Sequence, residues 1–330
     1  MWKSVHCAVQ GRGHIKENIP CQDKTVHCEK NNTHVIALAD GAGSARLSHY
    51  GADAVIKFIA DDFADNFDNY FNDVDGKQVK QTIVEKITYC LKCESQQRGC
   101  HIKDLASTLL VVAIKEDRII ILHIGDGVIG YLKEGQLKVA SGPANGEFAN
   151  STIFTTSSDA LTSMKLVKSH LSTISGFVLM SDGTEASMYN KRENIIANGI
   201  KKLLNMLIYV SEYQMTELVK DSFESIVRSA TFDDCSINLL VNDRMFHGYL
   251  SLTLNERAEI LKLNKKSTGL KTQINKYNKL LACLICPKTV SQLAKEVYIK
   301  EKYLRKHIIH LQECGFVIRR GNKFKTIISM

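Results

Sequence analysis

The sequence predicts an α+β body followed by a small basic domain. Three observations carry this. Apolar strand patterns come in adjacent pairs separated by short turns, and helical patterns come in blocks of their own, with few strand–helix–strand crossings. Charge divides sharply along the chain: residues 246–330 hold 17 Lys and Arg against 5 Asp and Glu, a net of +12, leaving −4 for the rest. And 330 residues are long for a single core but natural for one large domain and one small one.

Composition narrows the class further. Hydrophobic content of 44% and charged content of 24% are those of a globular protein, and no apolar run approaches the roughly 20 residues that span a bilayer. The segment from Met1 to His6 lacks the basic start and apolar stretch of a secretory signal, so a cytoplasmic location is expected, with no membrane partner. Ten cysteines then read as free thiols. Cys90/Cys93 and Cys283/Cys286 have Cys-x-x-Cys spacing, with Cys100 and His101 as further zinc candidates near the first pair. Both pairs lie inside helical patterns, which favours packing over zinc.

Residues 4–9 alternate weakly and read as a first strand, and Thr33–Ala39 as a buried one, short, apolar and bounded by polar residues. From Tyr50 to about Phe71, and again over 77–93, apolar residues recur at helical spacing. Ser107–Ile114 and Arg118–Ile124 form a hairpin pattern across Lys115-Glu116-Asp117, and a second hairpin turns at Glu134-Gly135. Residues 141–175, rich in Ser and Thr, read as a surface flap. Gly176–Met180 is another buried strand, 191–209 and 212–229 are helical, and Cys235–Val241 closes the body.

The basic segment has its own order. After a helical connection at 246–268, Leu270–Leu284 is amphipathic, and Thr289-Val290-Ser291-Gln292 has the form of a capping box. A short helix, a turn at 298–300 and a second helix over Glu301–Cys314 follow. Two strands then pair across Gly321-Asn322, which completes a winged helix-turn-helix pattern. The boundaries expected are 1–245, 246–268 and 269–330. Lys300, Lys302, Arg305, Lys306, Arg319, Arg320 and Lys323 suit either duplex DNA or a partner protein.

The acids carry the chemistry. Asp40 ends the Thr33 strand, Asp182 ends the Gly176 strand, and Asp126 follows Ile124 in Gly125-Asp126-Gly127. Asp23 closes Ile19-Pro20-Cys21-Gln22, while Asp233 and Asp234 precede the last strand. A single strand-end Asp-Gly is an ordinary turn. Five such sites on one rim repel one another unless a cation neutralises them, and an oxygen-only donor set points to Mg or Mn.

The motifs "PCQD", "LADGAGSA", "ASTLLVVAI", "HIGDGVIGY", "VLMSDGTE" and "DDCSINLL", in this order over about residues 4–242, resemble those of the metal-dependent type-2C protein phosphatases, the PPM family, closest to its compact bacterial branch. The resemblance implies a sandwich of two antiparallel β-sheets flanked by helices, and hydrolysis of phosphoserine and phosphothreonine in proteins by water activated between two Mn or Mg ions. It implies Asp23, Asp40, Gly41 (through its carbonyl), Asp182 and Asp233 as ligands, and Asp126 with Asp182 for a third ion. Arg12 and Lys16 are the candidates for holding phosphate, with His14 and Arg46 also near these motifs. Where many members carry a His and a glycine pair, this chain has Ala42-Gly43-Ser44. His49 or a metal-held water then stands as proton donor. The alternative to an enzyme is a feebly active metal-binding sensor whose basic tail does the work.

Overall fold

The structure, a computed structural model, describes residues 2–143, 152–242, 249 and 252–326. In chain order its elements begin with β1 (Trp2–Val9), α1 (Arg12–Glu17), β2 (Lys24–Lys30), β3 (Thr33–Ala39), α2 (Ser48–Asn72) and α3 (Gly76–Arg98). The strands β4 (Leu109–Lys115), β5 (Arg118–Ile124), β6 (Val128–Lys133) and β7 (Gln136–Ser141) follow. Then come α4 (Ala160–Ser163), β8 (Lys165–His170), β9 (Ile174–Met180), α5 (Asp182–Met188), β10 (Tyr189–Asn190) and β11 (Ile195–Ile196). Next are α6 (Asn198–Tyr209), α7 (Glu212–Ser222), α8 (Arg228–Ala230) and β12 (Cys235–Asn242). The remaining elements are α9 (Leu254–Ile260), α10 (Leu270–Cys283), α11 (Val290–Val297), α12 (Glu301–Glu313), β13 (Val317–Arg320) and β14 (Lys323–Thr326).

The chain divides into two compact units, one of Trp2–Leu204 with Thr216–Asn242, the other of Asn205–Met215 with residues from Asp243 onward. The first is built on two five-stranded antiparallel sheets, ordered β1-β12-β9-β6-β7 and β2-β3-β4-β5-β8. Strand β3 explains why the sequence reads as an unbroken apolar run: it is covered on both faces. Val35, Ala37 and Ala39 pack with Val55, Ile59 and Phe63 of α2, and with Ile83 and Ile87 of α3. Ile36 and Leu38 point the other way and pack with Phe177, Leu179 and Leu240 of the opposite sheet. A sandwich with helices on the β3 side results, as the motif resemblance implies. The two faces alternate along β4 in the same way, with Leu109, Val111 and Ala113 towards the helices and Leu110, Val112 and Ile114 towards the other sheet.

Two elements escape sequence pattern. Strand β2 pairs with β3 from Lys24↔Ala39 to Lys30↔Thr33, yet its residues are largely half-buried or exposed and so show little apolar signal. The expected flap at 141–175 is in part an edge strand: β8 pairs with β5 from His123↔Lys165 to Arg118↔His170, and Ile153 and Met164 are core residues. Residues 144–151 of that stretch lie outside the described residues. The 191–209 helix starts later, at Asn198, after the short β10–β11 pairing, and the 212–229 helix is interrupted by a π-turn at Phe223–Val227.

In the second unit, the stretch expected to connect the domains contributes to the core instead. Tyr249 is fully buried, its ring 6.3 Å from Phe316 and edge-on, with the Arg257 guanidinium 5.4 Å from its centroid. Helix α9 starts with a capping box between Thr253 and Glu256, and His310 Nε2 lies 2.8 Å from the Leu261 carbonyl. The capping box at Thr289 and Gln292 forms at the start of α11. Strands β13 and β14 pair antiparallel, and Lys288 exchanges two backbone hydrogen bonds with Phe324, adding a third short lane beside the hairpin.

Candidate functional site

The acids gather where strands end. Asp40 leaves β3 with its N–H donated to Thr108 Oγ1 at 2.9 Å, while Thr108 N–H returns to the Asp40 carbonyl at 2.8 Å. Gly41 N–H donates to the Gln22 carbonyl at 3.3 Å, drawing the segment before Asp23 to the end of β3. Asp182 opens α5 just after β9, and Glu185 lies one turn on along the same helix face. Asp126 sits between β5 and β6 and accepts a 2.5 Å hydrogen bond from Thr152 Oγ1.

Electrostatics ties these groups together. Burial pushes the Asp40 carboxyl well above the usual range, and the charges of Asp23, Asp182 and Asp233 add to that rise. The proximity of Asp40 and Asp182 raises Asp40 further and partly offsets the rise at Asp182. That rise comes from burial, with Asp233 and Asp126 contributing charge. Burial lifts Asp23 to about 7, helped by Asp234, while the nearby hydroxyls of Ser236 and Ser181 partly offset the rise. Neither Asp23 oxygen makes a hydrogen bond of normal geometry, nor does Asp182 Oδ1, although all three atoms are buried. Buried carboxylate oxygens without donors are expensive unless something positive meets them. The donor set is all hard oxygen, so it fits Mg or Mn. Among the described residues, no three acidic, histidine or cysteine groups stand close enough together to form a metal-holding set.

Two neighbouring acids separate into different tasks. Asp233 is exposed and adds its charge to Asp40 and Asp182. Asp234 is 1% exposed. Its Oδ1 accepts the Gly11 N–H and its Oδ2 the Gln22 N–H, both at 2.6 Å, and His14 Nδ1 stands 3.0 Å from Oδ1. Only glycine fits two adjacent positions: a Cβ on Gly11 would meet the Asp233 backbone at 2.3 Å, and one on Gly183 the Asp234 carbonyl oxygen at 2.0 Å. Asp234 was visible in sequence as a strand-end acid, but its clamp joins residues more than 200 apart and leaves no local pattern. Glu185 was equally silent; it is buried, raised by that burial, and ion-paired to Lys191.

The phosphate and proton candidates sit differently. Arg12, on exposed α1, donates from Nε to the Thr231 carbonyl at 3.0 Å, and its guanidinium lies 4.6 Å from the Phe232 ring centroid. Lys16 is exposed in the last turn of α1. The His49 ring lies 4.1 Å from the Tyr50 ring, tilted by 39°, and burial lowers its pKa, with Lys24 and Arg98 adding to the effect. Among the described residues no hydrogen bond or ion pair links Arg12, Lys16 or His49 to the clustered acids. The Cys90/Cys93 pair lies on α3, and all ten cysteines are free thiols.

The family model described as protein phosphatase 2C matches residues 10–222. The chain belongs to the protein phosphatase 2C family. Its match to serine/threonine-protein phosphatase 3 of Escherichia coli K12 is 28% identical over 176 residues, covering 50% of this chain and 66% of that protein, just under two thirds of its length. The first unit of this 2C-family chain also shares its fold with solved structures. The serine/threonine phosphatase Stp1 from Staphylococcus aureus is similar with a TM-score of 0.51 and 14% identity, over 73% of this chain and 95% of that one. The catalytic domain of the phosphatase PstP, crystallised with two manganese ions, gives a TM-score of 0.50 at 17% identity, over 73% and 99%. Among the described residues no helix is long and apolar enough to cross a membrane.

Proposed function

We propose that the first unit is a Mn- or Mg-dependent phosphoprotein phosphatase that hydrolyses phosphoserine and phosphothreonine. The observation that carries this reading is the meeting of strand-end acids from five places in the chain, with buried oxygens that lack donors. Asp23, Asp40, the Gly41 carbonyl, Asp182 and Asp233 are the groups to hold two ions, and Asp126 with Asp182 a third. Bound ions of this kind supply a water of lowered pKa and positive charge against phosphoryl oxygens. Two manganese ions in the PstP catalytic domain support the same assignment. The protein's own contribution is to keep these acids on rigid strand ends, to hold the substrate phosphate with Arg12 or Lys16, and to offer His49 as proton donor to the leaving hydroxyl. Free thiols throughout support a cytoplasmic setting.

A second reading, a metal-binding regulator of low activity, is favoured by one observation: Arg12 is engaged by Thr231 and Phe232. Turnover of p-nitrophenyl phosphate with Mn separates the two. The enzyme reading expects Mn-dependent turnover that drops to background in Asp40→Asn and in Asp182→Asn. Activity that survives the double replacement sinks it. Mn binding without turnover in the parent protein selects the regulator.

A further inference from the structure

The second unit presents a face that phosphatase chemistry does not use. Helix α12 buries Leu304, Ile308 and Leu311 and turns Lys302, Arg305, Lys306 and Ile309 outward, at helical spacing on the opposite side. Lys300 caps the helix, and the hairpin beside it carries Arg319, Arg320 and Lys323 at its exposed end. One acid, Glu301, pairs with Arg305 at 3.5 Å. Lys300, Lys302, Lys306 and Lys323 have no ion pair among the described residues.

Stability does not explain this arrangement. Lysines at and just after the N-terminus of a helix oppose its dipole, which favours acids there. A second observation is independent of charge. Tyr298, which ends α11, is a bulky aromatic in the left-handed region (φ 56°) and is 91% exposed. Glycine is the residue that meets this conformation without strain, so a fully exposed tyrosine there costs stability. Tyr303, on the first turn of α12, is 57% exposed. Two tyrosines thus flank the lysines across the turn between the helices.

We propose that this unit is a winged helix-turn-helix that binds duplex DNA, with α12 as the element entering the groove and the β13–β14 hairpin on the adjoining backbone. Lys302 and Lys306 contact phosphates, and the tyrosine hydroxyls donate to phosphate oxygens. A protein partner fits the face less well. Protein interfaces are depleted in lysine and centred on apolar side chains, and Ile309 is the one exposed aliphatic residue on this stripe. The binding does not depend on the phosphatase reaction.

The test uses the full chain and a fluorescent random-sequence duplex of about 20 base pairs, with anisotropy read between about 50 and 200 mM KCl. Binding is expected with Kd on the order of 10⁻⁵ M, and its logarithm should change linearly with the logarithm of salt. The double variant Lys302→Ala/Lys306→Ala should flatten the slope by about 0.9 for each lysine removed. Its melting temperature and Mn-dependent phosphatase rate should match the parent, which excludes misfolding. The proposal is overturned by no binding at the lowest salt, or by a salt slope that the double variant leaves unchanged. Capture of an acidic protein through these lysines, with no affinity for the duplex, overturns it too.

Discussion

The carboxylate of Asp234 accepts the backbone N–H of Gln22 at 2.6 Å, so the neighbour of one clustered acid, Asp233, holds the neighbour of another, Asp23. The same carboxylate takes the Gly11 N–H and faces His14. Asp234→Ala should therefore do more than loosen a loop. Hydrogen bonds to a charged acceptor contribute about 1.5–3 kcal/mol each, so the loss of two should cost about 3 kcal/mol or more, read in a urea melt. Asp234→Asn keeps one acceptor and should lie between. Mn-dependent activity should fall along the same order.

Metal binding should release protons. In the metal-free protein burial holds Asp40 and Asp23 above the ordinary carboxylate range, Asp23 at about 7, so each must give up a proton to take a cation. Fewer protons remain to displace as pH rises. The apparent affinity for Mn should therefore increase from pH 5 through about 7. Calorimetry in two buffers of different ionisation enthalpy measures the protons directly.

His123 gives a separate pH signal in stability. It is buried on β5, its Nδ1 is 2.6 Å from Ser141 Oγ, and burial lowers its pKa to about 3. The unfolded chain takes up a proton below about 6.5 and the folded one does not, so this contribution is full above 6.5 and is lost as pH falls towards 3. Each pH unit in that window should cost up to about 1.4 kcal/mol. His123→Gln should flatten the dependence of melting on pH between 6.5 and 4.5 relative to the parent. An unchanged curve would show that other groups govern acid unfolding.

The helix layer should be indispensable to the sheet beneath it. Phe63 on α2 has no exposed surface and packs in the cluster with Val35, Ala37, Val111 and Ile83. Phe63→Ala should cost about 3–5 kcal/mol, read as a shift in the denaturation midpoint with unchanged slope.

Much of the site could be read from sequence because Asp40, Asp126 and Asp182 follow β3, β5 and β9, mostly buried strands that stand out as short apolar runs. Thr33–Ala39 and Arg118–Ile124 have the expected bounds for the same reason. Edge strands carry no such mark. Lys165–His170 is mostly exposed, so its polar sequence resembles a loop although it completes a sheet. Tyr249 and the Thr253 capping box read as a connection because their partners, Phe316 and Asn278 among them, come much later in the chain. The Asp234 clamp was hidden by the same distance. What a residue does for a neighbour 200 positions away leaves no periodicity behind.

The pairing of β1 with β12 sets a timetable for synthesis. Asp23 and Asp40 emerge early, but Asp233, Asp234 and the strand that β1 pairs with arrive about two hundred residues later. At about 5–20 residues per second, a ribosome needs on the order of ten to forty seconds to deliver them. During that interval the early acids have no clamp and β1 has no neighbour. A growing chain is thus without its completed acid cluster until the first unit is almost wholly made.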